Sequence, residues 1–242
     1  MARRRRATEA AASEGLLDRL PLDAGQGADL SESGLLELAL THRSYSYEHD
    51  GLPHNERLEF LGDAVLQLAV TEYLYSSHPT LPEGDLARRR AATVSTRALA
   101  VIASKLDLGA YVRLGRGEDL TGGRAKSSIL ADTMEALIGA TFLSAGPDAA
   151  TGMVLRLVEP LLADPERYGA AMDPKTSLQE IAARLGLAAP VYTVEATGPD
   201  HDRRFTATVT TGDVVTTGVG SSKKHAEMAA ALTAWTLLTD RA

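Results

Sequence analysis

The 242-residue chain contains no cysteine, which excludes a disulfide framework and any thiolate metal site. A reducing compartment suits such a sequence. Also missing is any run approaching ~18 consecutive apolar residues, so no segment reads as a membrane span. The opening MARRRRATEAAASEG carries positive charge without the apolar stretch that a secretory signal needs behind it. The expectation is a soluble, cytoplasmic protein with no membrane partner. A basic excess is lacking too: 25 Lys and Arg face 32 Asp and Glu, a net charge of −7. With no protein-wide positive field to gather a polyanion, anion binding must rely on a local patch. The glycine-rich stretch after Leu106 lacks the G-x-x-x-x-G-K-[ST] spacing of a nucleotide cradle. His42, His54 and His78 fit no zinc pattern, which leaves them capping or packing roles.

What is present is an unusual placement of acids. In HNERLEFLGDAVLQLAV, Glu56, Glu59 and Asp63 stand at i, i+3 and i+7, within about 60° of one another on a helix of ~100° per residue. Leu58, Leu61, Val65 and Leu68 cover the other side, and Phe60 and Leu66 border the acidic arc. A solvated charged face would be wide and mixed in sign; this one is narrow and edged with oil. KSSILADTMEALIGATFL repeats the pattern, with Asp132 and Glu135 at i, i+3 among Ile129, Leu130, Met134, Leu137 and Ile138. Capping or solvent-facing acids would account for one such helix more readily than for two. Apart from Arg57 on another face, neither segment offers a Lys or Arg at pairing distance, so these carboxylates would repel one another and resist burial. A hard divalent cation resolves both problems. Mg²⁺ takes oxygen ligands, and two such ions about 4 Å apart suit phosphodiester hydrolysis.

The length suits one large or two modest domains, and 44% apolar content is ample for a core. Residues 1 to about 30, with an Arg3 to Arg6 run, read as a flexible polar extension. From Ser31 to residue 163 the pattern is helical: ESGLLELALTHRS, then 54–77, 84–106, 126–145 and 147–163, with almost no period-two alternation. The glycines at 115, 117, 122 and 123 mark a flexible connector, with Arg124, Lys126 and Ser127 as candidate phosphate contacts. Glu83 falls in the turn LPEGDL, with Asp85 as N-cap of the next helix. Two Asp-Pro pairs in ADPERYGAAMDP favour an extended linker over 164–173. Beyond it, KTSLQEIAARLG reads as a helix, PVYTVEAT, RRFTATVTTG and VVTTGVG as strands, and KKHAEMAAALTAWTLL as a second helix. Trp235 and Met228 are core positions of that last helix. The fold class expected is an all-α domain over 31–163 followed by a small α+β domain, α-β-β-β-α, over 174–242.

NERLEFLGDAVL resembles the signature stretch of bacterial ribonuclease III, and ILADTMEALIGA resembles that family's second acidic helix. ALTHRS at 39–44 and PEGDLARRRA at 82–91 are similar to family segments in the same order. The final α-β-β-β-α region, with GVGSSKKHAEMAAA near its end, resembles a double-stranded RNA-binding domain. The likeness runs from about residue 30 to the C-terminus.

The resemblance implies a Mg²⁺-dependent endonuclease that cuts double-stranded RNA, with Mn²⁺ as a possible substitute ion. It implies Glu59, Asp63, Asp132 and Glu135 as metal ligands, and a catalytic set of Asp63 and Glu135 with Glu56 and Glu83 as supporting acids. It also implies a homodimer, 5′-phosphate and 3′-hydroxyl ends with short 3′ overhangs, and processing of ribosomal RNA precursors and other structured transcripts. In the second domain it assigns RNA contact to Thr176, Gln179 and Glu180 on the first helix and His201 in the turn GPDHDR. Lys223 and Lys224 join them at the last helix start, where two ammonium groups meet the positive end of a helix dipole. Ala183 departs from relatives that carry a polar contact there. Phe60, Leu61 and Leu66 form an apolar margin suited to packing against a twin. Two rivals are weaker. A non-catalytic duplex binder has no need of six acids, and a small-molecule phosphohydrolase has no need of residues 174–242.

Overall fold

The computed structural model describes residues 15–163, 170, 173–198 and 203–241. The chain divides into two units, Met1–Ala163 and Asp164–Ala242.

The first unit is helical: α1 (Ala24–Glu32), α2 (Leu35–Ala39), α3 (Arg43–Glu48), α4 (Glu56–Ser77), α5 (Glu83–Thr93), α6 (Thr96–Lys105), α7 (Arg116–Leu120), α8 (Ser127–Ala145) and α9 (Pro147–Ala163). Among the described residues its only sheet-like feature is a parallel bridge between Thr41 and Arg113. Helix α8 is the centre. Ile129, Leu130, Met134, Leu137 and Ile138 are all buried, as expected of a helix that is apolar all round. By length and composition α8 could cross a membrane, yet 61% of that stretch is buried inside the protein, the mark of a core helix.

Four sequence expectations need correction here. Part of the expected extension over residues 1–30 is folded: residues 15–17 are helical, and α1 opens with a capping box between Asp23 and Gln26, while residues 1–14 lie outside the described residues. Leu16, Leu20 and Leu30 are 0, 4 and 0% exposed. At roughly 1.5–3 kcal/mol per buried leucine, these three offset part of the entropy lost in ordering the segment. The run 84–106 is two helices, broken where the Ser95 hydroxyl caps α6 by accepting from the Ala98 N–H. ESGLLELALTHRS is likewise split, because Thr41 leaves the helix to bridge Arg113 and the His42 side chain caps α3. Glu83 opens α5, so the cap position falls to Pro82, and Asp85 instead pairs with Arg88 one turn on.

The second unit has α10 (Pro174–Arg184), an antiparallel sheet β1 (Val191–Thr197), β2 (Arg204–Thr211) and β3 (Val214–Gly220) in the order 1-2-3, and α11 (Lys223–Thr239). Val194 faces Ala207, which in turn faces Gly218. Both helices cover one face of the sheet, with Leu178, Ile181, Ala207, Val209, Ala230 and Trp235 in the core. Small residues set the depth of that packing: a Cβ on Gly218 would come within 2.2 Å of the Ala230 nitrogen. The expected linker lies mostly outside the described residues, except that Ala170 is buried in this second core and Asp173 caps α10.

Candidate active site and nucleic-acid interface

Helices α4 and α8 pack together more extensively than any other pair in the first unit, and two glycines let them. A Cβ on Gly62 would stand 1.8 Å from the Glu135 carbonyl oxygen, and one on Gly139 would stand 2.3 Å from the Leu58 carbonyl oxygen. Any larger residue would hold the helices apart. Close crossing brings the two acidic arcs face to face. Glu59 of α4 and Asp132 and Glu135 of α8 each place a carboxylate oxygen within 4.8 Å of the others, at intermediate burial.

That gathering is electrostatically costly without a cation. Burial pushes the Glu135 carboxyl up to about 8, and the charges of Asp63, Asp132 and Glu59 add to the effect. Glu59 is raised by burial first, then by Asp132, Glu56 and Asp63. Asp132 is raised by burial against a counteracting pull from His42. A set of hard oxygen donors this close, each with its carboxyl pushed up by burial and by like-charged neighbours, fits a divalent metal.

Asp63 lies outside the group of three. It is exposed and accepts a 3.4 Å hydrogen bond from Gln67 Nε2, although its charge is the largest electrostatic contribution at Glu135. Glu56 is turned toward basic neighbours, 3.4 Å from Arg43 Nη1 and 3.8 Å from His54 Nδ1. Glu83 is exposed at the start of α5, beyond both the carboxylate group and the cleft lining.

The cleft beside the acids has a volume of about 620 Å³ and is lined by His42, Arg43, Asn55, Glu56, Glu59, Glu118, Lys126, Ser128, Ile129 and Asp132. Several of these carry no conspicuous signal in the sequence. The buried Asn55 donates from Nδ2 to the Ala39 carbonyl at 3.2 Å, locking the entry to α4. His42 does cap α3, its Nδ1 accepting from the Ser44 N–H at 3.2 Å, and burial lowers its pKa. Lys126 donates to Glu118, which lowers the pKa of that carboxyl, and to Thr121 Oγ1. The glycine-rich connector is thereby more ordered than expected. Arg124 is consumed inside it, donating to the carbonyls of Gly109 and Val112 and to Asp119, so it is not available as a phosphate contact.

Along the outer side of α4 the apolar margin is Phe60, 83% exposed, and Leu68, 68% exposed. Leu66, expected in that margin, is fully buried in its own unit instead. Phe60 borders a groove of about 830 Å³ lined by Leu35, Leu38, Leu52, Pro53, Leu58 and Leu61.

In the second unit, Ser222 caps α11 by accepting from the His225 N–H at 3.2 Å, and Lys223 and Lys224 follow it, both exposed. On α10, Thr176 Oγ1 donates to Asp173 Oδ2 at 2.7 Å, while Gln179 and Glu180 are exposed. His201 lies outside the described residues.

Comparison with known proteins agrees with this fold. A Ribonuclease-III-like family profile matches residues 32–161, and a double-stranded RNA binding motif matches 174–238. Ribonuclease 3 of Leifsonia xyli subsp. xyli is 62% identical over 92% of this chain and 94% of its own length. Ribonuclease 3 of Streptomyces coelicolor is 58% identical over 84% of this chain and 74% of its own. Among solved structures, the nuclease domain of ribonuclease III from Campylobacter jejuni superposes with a TM-score of 0.50 at 44% identity, covering 55% of this chain and 95% of that one. Fold and site together define a helical nuclease unit joined to a module that binds double-stranded RNA. The chain belongs to the ribonuclease III family, and is an endoribonuclease of that type acting on double-stranded RNA.

Proposed function

We propose that the carboxylate group of α4 and α8 is a Mg²⁺ centre, with Mn²⁺ as a possible substitute, held by Glu59, Asp132 and Glu135 together with Asp63. The observation that carries this reading is the convergence of three half-buried carboxylates within 4.8 Å. When bound, the metal supplies charge that stabilises the attacking and leaving oxygens of an in-line phosphodiester hydrolysis.

The chain's own residues have separate tasks. Glu135, held near pKa 8, must release its proton to serve as a ligand, so site formation liberates a proton. Asp63 supplies negative charge beside Glu135 and is the fourth oxygen donor of the proposed set. Arg43 holds Glu56 as a supporting acid on the cleft wall. Glu83 is an outer acid at the N-terminus of α5. In the second unit, Thr176, Gln179, Glu180 and His201 address minor grooves, and Lys223 and Lys224 take the phosphates between them.

The working form is a homodimer in which each copy cuts one strand, leaving 5′-phosphate and 3′-hydroxyl ends with short 3′ overhangs. An 83% exposed phenylalanine beside an apolar groove favours association through this face, and a two-fold pairing would let each Phe60 cover the other copy's groove. The Campylobacter nuclease domain has a region involved in dimer formation. Ribosomal RNA precursors and other structured transcripts in the cytoplasm are the proposed substrates.

The deciding experiment incubates a labelled RNA duplex with the parent and with Glu135→Gln, with and without Mg²⁺. The parent is expected to cut only with Mg²⁺, while Glu135→Gln binds duplex equally well and cuts negligibly. Equal cutting by both would remove Glu135 from the centre.

A further inference from the structure

Three residues of the second unit meet at a junction that RNA contact does not account for. Lys175 Nζ of α10 donates to Glu227 Oε2 of α11 at 2.7 Å, and stands 4.4 Å from the centroid of the Tyr192 ring on β1. The ammonium thus has an anion on one side and an aromatic face on another. The Lys175 and Glu227 side chains are only 38 and 24% exposed, so solvent screens the pair less than it would a surface pair. Glu227 lies at i+4 from Lys223 and i+3 from Lys224, a spacing at which it could pair with either along α11. It is engaged by Lys175 instead, and among the described residues neither Lys223 nor Lys224 has an ion-pair partner.

We propose that Lys175 and Glu227 are positioning residues for duplex binding. Their ion pair, seated on the Tyr192 ring, ties α10 to α11 and draws the Glu227 carboxylate away from Lys223 and Lys224. The inference rests on the reading that Thr176, Gln179 and the two lysines touch RNA. A domain that reads duplex shape across successive grooves needs a fixed spacing between its contact points. Lys175 neighbours Thr176 and sits one turn before Gln179, and Glu227 follows the two lysines, so the pair joins the two contact sets directly.

Charge alone and positioning make opposite demands on Glu227. RNA is a polyanion, so by charge alone removing a carboxylate tightens binding; if Glu227 positions the helices, removing it weakens binding. The test measures duplex affinity of the full chain by fluorescence anisotropy in the Glu135→Gln background, so that RNA is not consumed. Lys175→Met and Glu227→Gln are each expected to weaken binding about five-fold, the scale of one half-shielded ion pair with its cation–π contact. The double variant should be no weaker than the weaker single, and Lys175→Arg should restore affinity. Tyr192→Phe, which keeps the ring, should bind like the parent, whereas Tyr192→Leu should not. In the cleaving enzyme with Mg²⁺, Lys175→Met should raise KM and leave kcat unchanged. Tighter binding by Glu227→Gln, additive losses in the double variant, or a fall in kcat at constant KM would overturn the proposal. Unchanged affinity in the Lys223→Ala, Lys224→Ala variant would overturn the RNA-contact reading beneath it, whatever Glu227→Gln does.

Discussion

Replacing Gly62 by alanine adds one methyl group at the crossing of α4 and α8, and its consequences can be worked from distances. The new Cβ would lie 1.8 Å from the Glu135 carbonyl oxygen, 2.6 Å from its carbon and 2.9 Å from the Gly139 nitrogen. Reaching even the 3.0 Å below which real Cβ atoms essentially never approach requires a retreat of 1.2 Å (3.0 less 1.8). All three obstacles are backbone, so no rotamer change relieves them and the helices must part. Because the Glu135 carbonyl belongs to the same residue as the cleft carboxylate, Asp132 and Glu135 retreat from Glu59 and Asp63. A misplacement of ~1 Å in a catalytic constellation costs about 10²-fold in rate, and overpacking costs about 1–3 kcal/mol in stability. The sign is diagnostic, since Gly→Ala within an ordinary helix stabilises by roughly 0.5–1 kcal/mol. Gly117→Ala is the control, because its Cβ in α7 would meet nothing within 4 Å. The assay is single-turnover cleavage of a labelled duplex at saturating Mg²⁺, alongside thermal melting and duplex affinity. Gly62→Ala should lose about 10²-fold in rate and melt lower while its second unit still binds duplex. Parental cleavage with a raised melting temperature would refute the argument.

Other features carry expected outcomes of their own. Glu135 is raised from the ordinary carboxyl value of 4.5 to about 8, so without metal the folded state holds more protons than the unfolded state between those values. Stability should therefore fall as pH rises through that window. About a unit above the ordinary histidine value of 6.5, His42, whose pKa is lowered, is essentially neutral in both states and drops out; melting of the metal-free protein from about pH 7.5 upward should show the decline, and Mg²⁺ should flatten it. An unchanged melting temperature with pH would contradict the clustered carboxylates. Phe60→Glu should place a charge where 83% of the residue's surface is open in the single copy and convert the proposed dimer to monomer in sedimentation velocity, with loss of double-strand cutting; a dimer of parental stability would exclude this face. Changing Lys223 and Lys224 to Ala should reduce the slope of log affinity against log salt by about 2, one unit per phosphate contact, and an unaltered slope would remove both lysines from the phosphate contacts.

The acids of the cleft are legible in the sequence because helical periodicity turns spacing into angle, and an acid among leucines is conspicuous at any spacing. The division into a helical unit and an α-β-β-β-α unit is legible for the same reason, the period changing after the Asp-Pro pairs. The crossing that joins the two acidic helices is not. Gly62 and Gly139 carry no periodic signal, and their meaning exists only once α4 and α8 touch. Ser95 hides its role because a cap inside an apolar run looks like a tolerated polar residue until the chain turns there. The first 30 residues mislead because Leu16, Leu20 and Leu30 are too sparse to set a period, yet each finds a place in the core. Leu66 and Leu68 show the limit of angular reasoning: two positions apart on α4, one is buried and the other 68% exposed, and only the packed neighbours decide which.

Arg156 on α9 donates twice to the Pro21 carbonyl, at 2.9 and 2.6 Å, across 135 residues of sequence. Contacts of such separation form late, since a long loop must close before they repay the lost freedom. On the ribosome the segment around Pro21 emerges early and must wait for α9, so the nuclease unit is completed from its far end backward. A pause in translation before residue 156 would leave the Pro21 carbonyl without its guanidinium partner, so the early segment and α9 complete one another.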